Sequence, residues 1–309
     1  MIITLTVNPA IDRNVSVDKL VFDDRAYILS TRESAGGRGI NASCVLHSFG
    51  AQTLAIAVCG GRAGKRLEEF IQKCTFPSEL VRVRNEIRTN MTLADKQGLA
   101  IKLNELGPAL SAAEIGRLER ATIAHLEKAS WLLLCGSLPP GVPNDFYARL
   151  VAAAKKAGVR TLVDADGEPL EAAIEAGPTV VTPNQPEAER LLSRALITRS
   201  QFQEAAERIH AMGAESVVLS LGARGAVGLA KEGTLYEAVP PRVEALCPIG
   251  AGDALAAAFA WAMESNSGFP EALRWGVAAG TASARLPGVA FASKAQTEEI
   301  YRKTEVRQL

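Results

Sequence analysis

Apolar and polar residues are distributed differently in two parts of the chain. From about residue 110 onward, short apolar runs such as WLLLCG, RTLVDAD and SVVLSLG alternate with helical stretches. Short apolar strands separated by helices are typical of a parallel sheet covered on both faces. Residues 14–34 instead alternate apolar with polar types, and residues 80–102 are again rich in strand-forming residues, so both stretches predict strands of a smaller sheet.

The pattern predicts one domain over residues 1–309. Its fold class is α/β, with a three-layer core around a mostly parallel sheet. A small β-sheet lid would come from two segments inserted in that core, at about 13–34 and 81–105. Within the core, Ser111 and Glu114 form a capping-box pattern that predicts a helix start, and Gly158 predicts a helix end.

The residues that follow the predicted parallel strands are candidates for the functional site. Ligands of such sheets bind beyond the carboxyl ends of the strands. These positions hold Asp164, Asn184, Gly222 and the loop leading to Asp253.

Composition excludes several classes of function. The chain has 34 acidic and 34 basic side chains, and this zero net charge argues against a nucleic-acid partner or a membrane-surface protein. No apolar run approaches the roughly 20 residues that span a bilayer, and the N-terminal MIITLTVNP predicts a strand instead of a signal peptide. The five cysteines are scattered and the three histidines isolated, which favours a cytoplasmic location and no zinc site.

The segment PIGAGDA, residues 248–254, precedes a helix-forming run. Small residues at a helix start leave backbone N–H groups open to an anion, and the helix dipole adds positive charge there. Gly250, Ala251 and Gly252 would thus form an anion hole for a phosphoryl group. Asp253 has two interpretations: an acid that favours any helix N-terminus, or the base that takes a proton from an attacking hydroxyl.

A second glycine cluster, GGRGIN, spans residues 36–41 and opens a helix. Glycines let the backbone approach a ligand closely, and Asn41 would then hydrogen-bond sugar hydroxyls. The alternative is a tight turn from strand to helix, with Asn41 merely near the helix start.

Two further candidates lie at predicted strand ends. In TPNQPE, residues 182–187, Asn184 and Glu187 are three positions apart and would orient Mg²⁺-bound water near phosphates. Ordinary helix capping explains the same pair. Asp12, just past the first strand, is either a ligand for two sugar hydroxyls or a solvated turn acid.

In combination and in this order, TLTVNPAIDR, AGGRGINAS, GSLPPGV, PNQPEAE, SLGARGA and GAGD resemble the ribokinase-like (PfkB) carbohydrate kinase family. The resemblance covers essentially the whole chain, and its phrasing is similar to the phosphofructokinase and tagatose-6-phosphate kinase branch. It implies a ribokinase-like α/β core with a lid, ATP and Mg²⁺ as cofactors and, in many members, a homodimer formed through the lid.

The resemblance also implies roles for individual residues. Asp253 would be the base beside the anion hole, and Asn184 and Glu187 would organise Mg²⁺. The residues expected around the sugar are Asp12, Gly37, Asn41 and Ser137. The residues expected beside the nucleotide are Asn184, Ser220, Gly222, Gly225, Gly250 and Gly252.

Cationic residues on the predicted lid distinguish phosphorylated from plain sugars. Arg25, Arg88 and Lys102 occupy places where 6-phosphofructokinases of this family carry basic residues that hold the substrate phosphate. Arginine suits bidentate phosphate contacts and lysine acts as a point charge. Arg38 is either a further contact to the substrate anion or a charge at the lid edge. The alternative for the set is solvated surface charge.

The resemblance therefore implies phosphoryl transfer from ATP to a ketohexose phosphate. Fructose 6-phosphate is the leading substrate, and fructose 1-phosphate and tagatose 6-phosphate are the rivals. Thr182 stands where the family commonly has lysine, and Pro248 where it usually has threonine. These departures keep a weakly catalytic sugar-phosphate-binding protein as the alternative from another class.

Overall fold

Two sheets organise the chain in the computed structural model, which describes residues 1–21, 24–97 and 99–309. The strands are β1 (Ile2–Thr6), β2 (Ala10–Val17), β3 (Ile28–Gly36), β4 (Thr53–Cys59), β5 (Ser78–Arg82), β6 (Arg88–Asp95), β7 (Ala100–Leu103), β8 (Trp131–Cys135), β9 (Arg160–Asp164), β10 (Val180–Val181), β11 (Val217–Ser220), β12 (Ala226–Leu229), β13 (Leu235–Val239) and β14 (Glu305–Gln308). The helices are α1 (Arg38–Ser48), α2 (Gly61–Lys73), α3 (Ala112–Ala124), α4 (Phe146–Lys156), α5 (Glu168–Glu175), α6 (Gln185–Leu191), α7 (Arg199–Ala211), α8 (Ala251–Glu264), α9 (Phe269–Ala284) and α10 (Lys294–Tyr301).

The large sheet has the strand order β14-β13-β12-β11-β10-β9-β8-β1-β4-β5. Neighbouring strands from β5 to β11 run parallel, and β11 to β14 pair antiparallel. Every residue of β1, β4 and β8 is buried. This burial explains why these strands are apolar without alternation.

Helices cover both faces of the large sheet. On β8, Leu132 and Leu134 pack into a core shared with α3, α4, α5 and α7, whereas Trp131 and Leu133 pack into a second core shared with α1, α8 and α9. Successive strand residues face opposite sides of a sheet, so one apolar run supplies both cores. The predicted three layers are present.

The small sheet has the order β3-β2-β6-β7. Asp12 lies opposite Asn90 and Ala10 opposite Arg88 across β2 and β6, and Thr92 lies opposite Lys102 across β6 and β7. Alternate residues of a strand share a face, so Asp12, Arg88, Asn90 and Lys102 project from the same side.

The predicted bounds of the small sheet need two adjustments. It begins at Ala10 and resumes at Arg88, while Val81 and Arg82 belong to β5 of the large sheet, where Val81 lies opposite Val58. The prediction placed them in the small sheet because an edge strand and a lid strand share the same composition. Residues 22, 23 and 98 of the predicted segments lie outside the described residues.

Local signals in the core were accurate. Ser111 and Glu114 form the expected reciprocal capping box at the start of α3. Gly158 follows α4 with a φ of +70°, a conformation that favours glycine. Among the described residues, no helix is both long and apolar enough to cross a membrane.

Candidate active site

The site lies at the carboxyl ends of β9, β10 and β11, next to the N-termini of α1 and α8. Asp164 closes β9, Asn184 follows β10 and forms an isolated parallel bridge with Ser220, the last residue of β11. The carboxyl ends of parallel strands all lie at the same end of the sheet. Side chains that follow these strands are therefore close in space although they are distant in sequence.

Asp253 is the third residue of α8 and is 9% exposed. Asn41 of α1 donates a hydrogen bond of 2.7 Å from Nδ2 to Asp253 Oδ2. Burial raises the pKa of Asp253 to about 7, the negative charge of Asp164 adds to the rise, and the hydrogen bond from Asn41 opposes it. A carboxylate with a pKa near neutrality is suited to act as a general base.

The turn before α8 places backbone N–H groups beside Asp253. Gly250 caps the helix with a φ of +83°, in the left-handed region where a side chain is strained. The N–H of Ala251 donates to the carbonyl of Pro248 at 3.2 Å, so this predicted member of the anion hole already has a partner. A Cβ added at Gly252 would meet no atom within 4 Å, which leaves the backbone there open to a ligand.

On the other side of the site, Asp12 of the small sheet faces Asn90. Asn90 Nδ2 donates to Asp12 Oδ1 at 2.9 Å. Burial raises the pKa of Asp12, and the hydrogen bond from Asn90 and the charge of Arg88 oppose the rise. A Cβ at Gly36 would lie 2.4 Å from Asp12 Cγ, so glycine is required for the close approach of β3.

Arg88 connects the small sheet to the core. Its Nη2 donates to the Asn8 carbonyl at 2.9 Å and its Nη1 to the Glu105 carbonyl at 3.1 Å. Its Nε is buried and has no partner among the described residues, and the same holds for Asn8 Oδ1 and Asn90 Oδ1. Burial lowers the pKa of Arg88. Buried polar groups without partners are uncommon, so this cluster indicates a place for a polar ligand.

The other predicted sugar-side residues have different surroundings. Asn8 Nδ2 donates to Ser137 Oγ at 3.2 Å, which brings Ser137 next to this cluster. Gly37 caps α1. Arg25 and Lys102 are exposed, Lys102 on the face of the small sheet that carries Asp12.

Arg38, the first residue of α1, is bound to the core and is not a charge at the lid edge. Its Nη1 lies 3.0 Å from Asp164 Oδ1 and its Nη2 lies 3.0 Å from Glu187 Oε1. Asp164 is the largest cause of the raised pKa of Arg38. Burial raises the pKa of Glu187, and the charge of Arg38 opposes the rise.

Asn184 and Glu187 form a capping box at the start of α6. Glu187 N donates to Asn184 Oδ1 at 3.0 Å, and Asn184 N donates to Glu187 Oε2 at 2.9 Å. In the described part of the chain, no three acidic, histidine or cysteine side chains are grouped as a metal cage. Carboxylate and amide oxygens are the donors that Mg²⁺ takes. Asn184 Oδ1 and both Glu187 carboxylate oxygens already have protein partners, so these residues would hold the ion through its bound water.

A cavity of about 400 Å³ adjoins the start of α8. Ser220, Gly222, Gly225 and Gly252 line it together with apolar side chains such as Leu255. Concave, mostly apolar pockets with a few polar groups are typical of small-molecule sites. Four of the predicted nucleotide-side residues therefore meet in one cavity.

Sequence reasoning missed several residues of the site. Asn90 and Asn8 carry polar atoms without partners, but their closeness depends on the strand register. Glu105 joins them through its carbonyl. Asp164 was singled out only as a strand end, and its contact with Arg38 spans 126 positions.

The fold and the site are those of an α/β protein with a buried carboxyl group and a glycine turn at a helix N-terminus. Residues 4–296 match the family model described as "pfkB family carbohydrate kinase". The chain belongs to this family. The predicted family, the ribokinase-like fold and the kinase class are therefore confirmed.

Similar proteins cover nearly the whole chain. The ATP-dependent 6-phosphofructokinase isozyme 2 of Escherichia coli is 32% identical over 97% of both chains. A 1-phosphofructokinase of Xanthomonas campestris is 35% identical and covers 84% of this chain and 83% of its own length. The crystal structure of phosphofructokinase-2 from Escherichia coli in complex with substrates and products has a TM-score of 0.91, with 32% identity over 97% of this chain and 98% of that chain.

Proposed function

We propose that the protein is an ATP-dependent 6-phosphofructokinase, which converts fructose 6-phosphate into fructose 1,6-bisphosphate. The observation that carries the phosphorylated acceptor in this proposal is the buried Nε of Arg88, which has no partner among the described residues and belongs to the side of the small sheet that holds Asp12. A guanidinium N–H is a strong donor to a phosphate, whereas a plain sugar would not need a buried cation. The E. coli relative supports the same substrate.

Asp12 and Asn41 are the residues that would hold the sugar hydroxyls. Asp253 lies within hydrogen-bond distance of Asn41, so a hydroxyl bound beside Asn41 would be close to the base. Asp253 would accept the hydroxyl proton as the oxygen attacks the terminal phosphorus of ATP. The open backbone at Gly252 would then stabilise the negative charge of the transferred group.

The cavity lined by Ser220, Gly222 and Gly225 is proposed to hold the nucleotide, because it adjoins the anion-accepting turn of α8. Asn184, Glu187 and Asp164 would hold Mg²⁺, mainly through water. When bound, the ion neutralises charge on the phosphates of ATP. Closure of the small sheet would exclude water as a competing acceptor.

A second copy of the chain is proposed to cover the small sheet. Ile28 is 65% exposed and Leu29 is 49% exposed on the edge strand β3, and Tyr27 just before that strand is 65% exposed. Exposed apolar residues on one element mark an interaction surface. Ile28→Asp should convert a dimer into monomers in light scattering, whereas Ile197→Asp, at a residue 76% exposed elsewhere, should not. A wild type that is monomeric at micromolar concentration contradicts the dimer.

A 1-phosphofructokinase is the second candidate, because a protein with that name is 35% identical to the chain. Tagatose 6-phosphate is the third substrate to test. The three substrates differ in the position of the phosphate or in the configuration of one hydroxyl.

A coupled assay of ADP release with Mg·ATP distinguishes these candidates. It would compare fructose 6-phosphate, fructose 1-phosphate, tagatose 6-phosphate and unphosphorylated fructose, with Asp253→Asn as control. We expect the largest kcat/KM with fructose 6-phosphate. We expect this activity to be lost in Asp253→Asn. A preference for another phosphorylated ketose would name that enzyme instead. Binding of a sugar phosphate without turnover would support the non-catalytic alternative.

A further inference from the structure

Arg38 lies between the two halves of the site. It follows Gly37, the cap of α1, and precedes Asn41, which binds the base. Its guanidinium contacts the end of β9 and the start of α6. Its charge acts on Asp253 on one side and on Arg88 on the other. A cation in this position is close to both the acceptor and the donor side.

Two carboxylates hold the guanidinium in place. Asp164 is 8% exposed and Glu187 is 3% exposed, whereas Arg38 is 34% exposed. Nη1 and Nη2 each use an N–H in these ion pairs, and a guanidinium has five N–H donors in total. Nη1 also lies 3.5 Å from the Asp164 carbonyl. The guanidinium is therefore anchored at both Nη atoms, and these three contacts do not use all of its N–H donors.

The stem of Arg38 is also confined. A Cβ added at Gly136 would lie 3.8 Å from Arg38 Cβ and Cγ, an ordinary contact distance, so the loop at Gly136 lies beside the stem of the arginine. Gly136 N donates to the Asp164 carbonyl at 2.8 Å, which joins the same loop to the anchoring residue. A donor that is fixed before the reaction needs no reorganisation when charge develops.

The strand ends beside Arg38 supply no positive charge of their own. Asp164, Thr182, Asn184 and Ser220 end or follow β9, β10 and β11, and each is acidic or neutral. Phosphoryl transfer places negative charge on the three equatorial oxygens of the transferred group. Arg38 is a cation at the strand ends that is held by buried carboxylates, and its guanidinium could balance that charge.

We propose that Arg38 contacts the phosphoryl group in transit and stabilises its charge, and is not an anchor for the phosphate already on the sugar. This inference rests on the proposed kinase function. Asp164 and Glu187 act through Arg38 by fixing its orientation. Removal of the guanidinium would therefore impair the chemical step more than the binding of either substrate.

The test compares Arg38→Ala and Arg38→Lys with the wild type. Arg190→Ala is the matched control. Arg190 belongs to α6 and forms an exposed ion pair with Asp166. We expect kcat of Arg38→Ala to fall by about 10²–10³-fold, the size of effect from removing one preorganised donor. KM for the sugar phosphate should stay within about threefold, since uniform binding is retained. Added guanidinium ion should restore part of kcat, and Arg190→Ala should resemble the wild type.

Binding measurements provide a readout that does not depend on turnover. Calorimetry would compare the affinity for Mg·ADP alone with the affinity for Mg·ADP plus aluminium fluoride and the sugar phosphate, a mimic of the transferred group. Arg38→Ala should retain the affinity for Mg·ADP alone and lose most of the affinity for the aluminium fluoride complex. Arg38→Lys should lie between, because it keeps the charge and loses the fork geometry.

Three outcomes would overturn the inference. A rise in KM for the sugar phosphate with unchanged kcat would make Arg38 a substrate anchor. A lowered melting temperature with no rescue by guanidinium would make it a structural ion pair. An Arg38→Ala variant with the kcat of an active wild type would remove it from the reaction. An inactive wild type would instead refute the proposed function.

Discussion

The two sheets of this protein differ in how much of their surface the fold itself buries. Every residue of β1, β4 and β8 in the large sheet is buried, whereas every residue of β6 in the small sheet is only half-buried, and the first five residues of β3 are exposed. Burial of apolar area is the main source of folding stability. The large sheet therefore buries more apolar area within the chain than the small sheet does.

This difference assigns different tasks to the two sheets. Asp253 and the nucleotide-side cavity are placed by helices packed on the large sheet, so their geometry is fixed before substrate binds. Asp12 and Arg88 belong to the small sheet, which is less buried. We expect variants on the large sheet to change kcat or stability and variants on the small sheet to change KM.

The largest effect should come from Asp253→Asn on the large-sheet side. General base catalysis contributes about 10²–10⁴-fold, and kcat should fall by that factor while nucleotide affinity is retained. Stopped-flow measurement of ADP formation with saturating substrates checks this. A variant with kcat within fivefold of the wild type would remove Asp253 from the proton transfer.

Leucine truncations compare the stability of the two sheets directly. Leu133→Ala in β8, at a fully buried position, should reduce the free energy of unfolding by about 2–5 kcal/mol. Leu103→Ala in β7, at a residue 52% exposed, should cost less than about 0.5 kcal/mol. Urea unfolding followed by circular dichroism measures both, and equal losses would contradict the contrast between the sheets.

Arg88→Ala should raise KM for the sugar phosphate on the small-sheet side. A hydrogen bond to a charged group contributes about 1.5–3 kcal/mol, which corresponds to about a 10- to 100-fold change in affinity. We expect kcat to change by less than about fivefold, since a binding contact is lost uniformly. Steady-state kinetics measures both KM values. The KM for the sugar phosphate should rise less in the companion variant Lys102→Ala than in Arg88→Ala, because Lys102 is exposed. An unchanged KM in Arg88→Ala contradicts the phosphate role.

The smallest effect concerns pH. Asp253 must be ionised to act as a base, so kcat/KM should rise with pH through about 7, the pKa that burial gives this carboxyl. The hydrogen bond from Asn41 favours the ionised form, so Asn41→Ala should move the midpoint to higher pH. A pH profile of kcat/KM measures the shift. A midpoint that stays in place would show that Asn41 does not influence the base.

The same pKa predicts how Asp253 affects stability. Its pKa is above 3.8 in the folded protein, so between about 4 and 7 the folded state binds more protons than the unfolded state. Stability from this group is present below that window and is lost as pH rises through it. Asp253→Asn should therefore raise the melting temperature more at pH 8 than at pH 4, and the opposite order would contradict the raised pKa.

The sequence predicted the parts of the molecule that depend on local pattern. Apolar runs separated by helices identified the large sheet, and the pair Ser111 and Glu114 located the start of α3 because both signals act within a few residues. The glycines before Asp253 located the turn at the start of α8 for the same reason.

Contacts that depend on tertiary placement could not be predicted. Asn90 faces Asp12 only in one register of β2 and β6, and a shift of one residue would turn it to the other face. Arg38 was assigned to the sugar anion or the lid edge, because its partners lie 126 and 149 positions away. The edge strand β5 was joined to the small sheet because its composition does not distinguish the two.

The hydrogen bond between Asn41 and Asp253 joins positions 212 residues apart. At the usual rate of protein synthesis, Asn41 emerges on the order of 10–40 s before its partner is made. The two halves of the site are therefore together only after most of the chain has been made, and a chain released before residue 253 would lack the carboxyl group that Asn41 contacts.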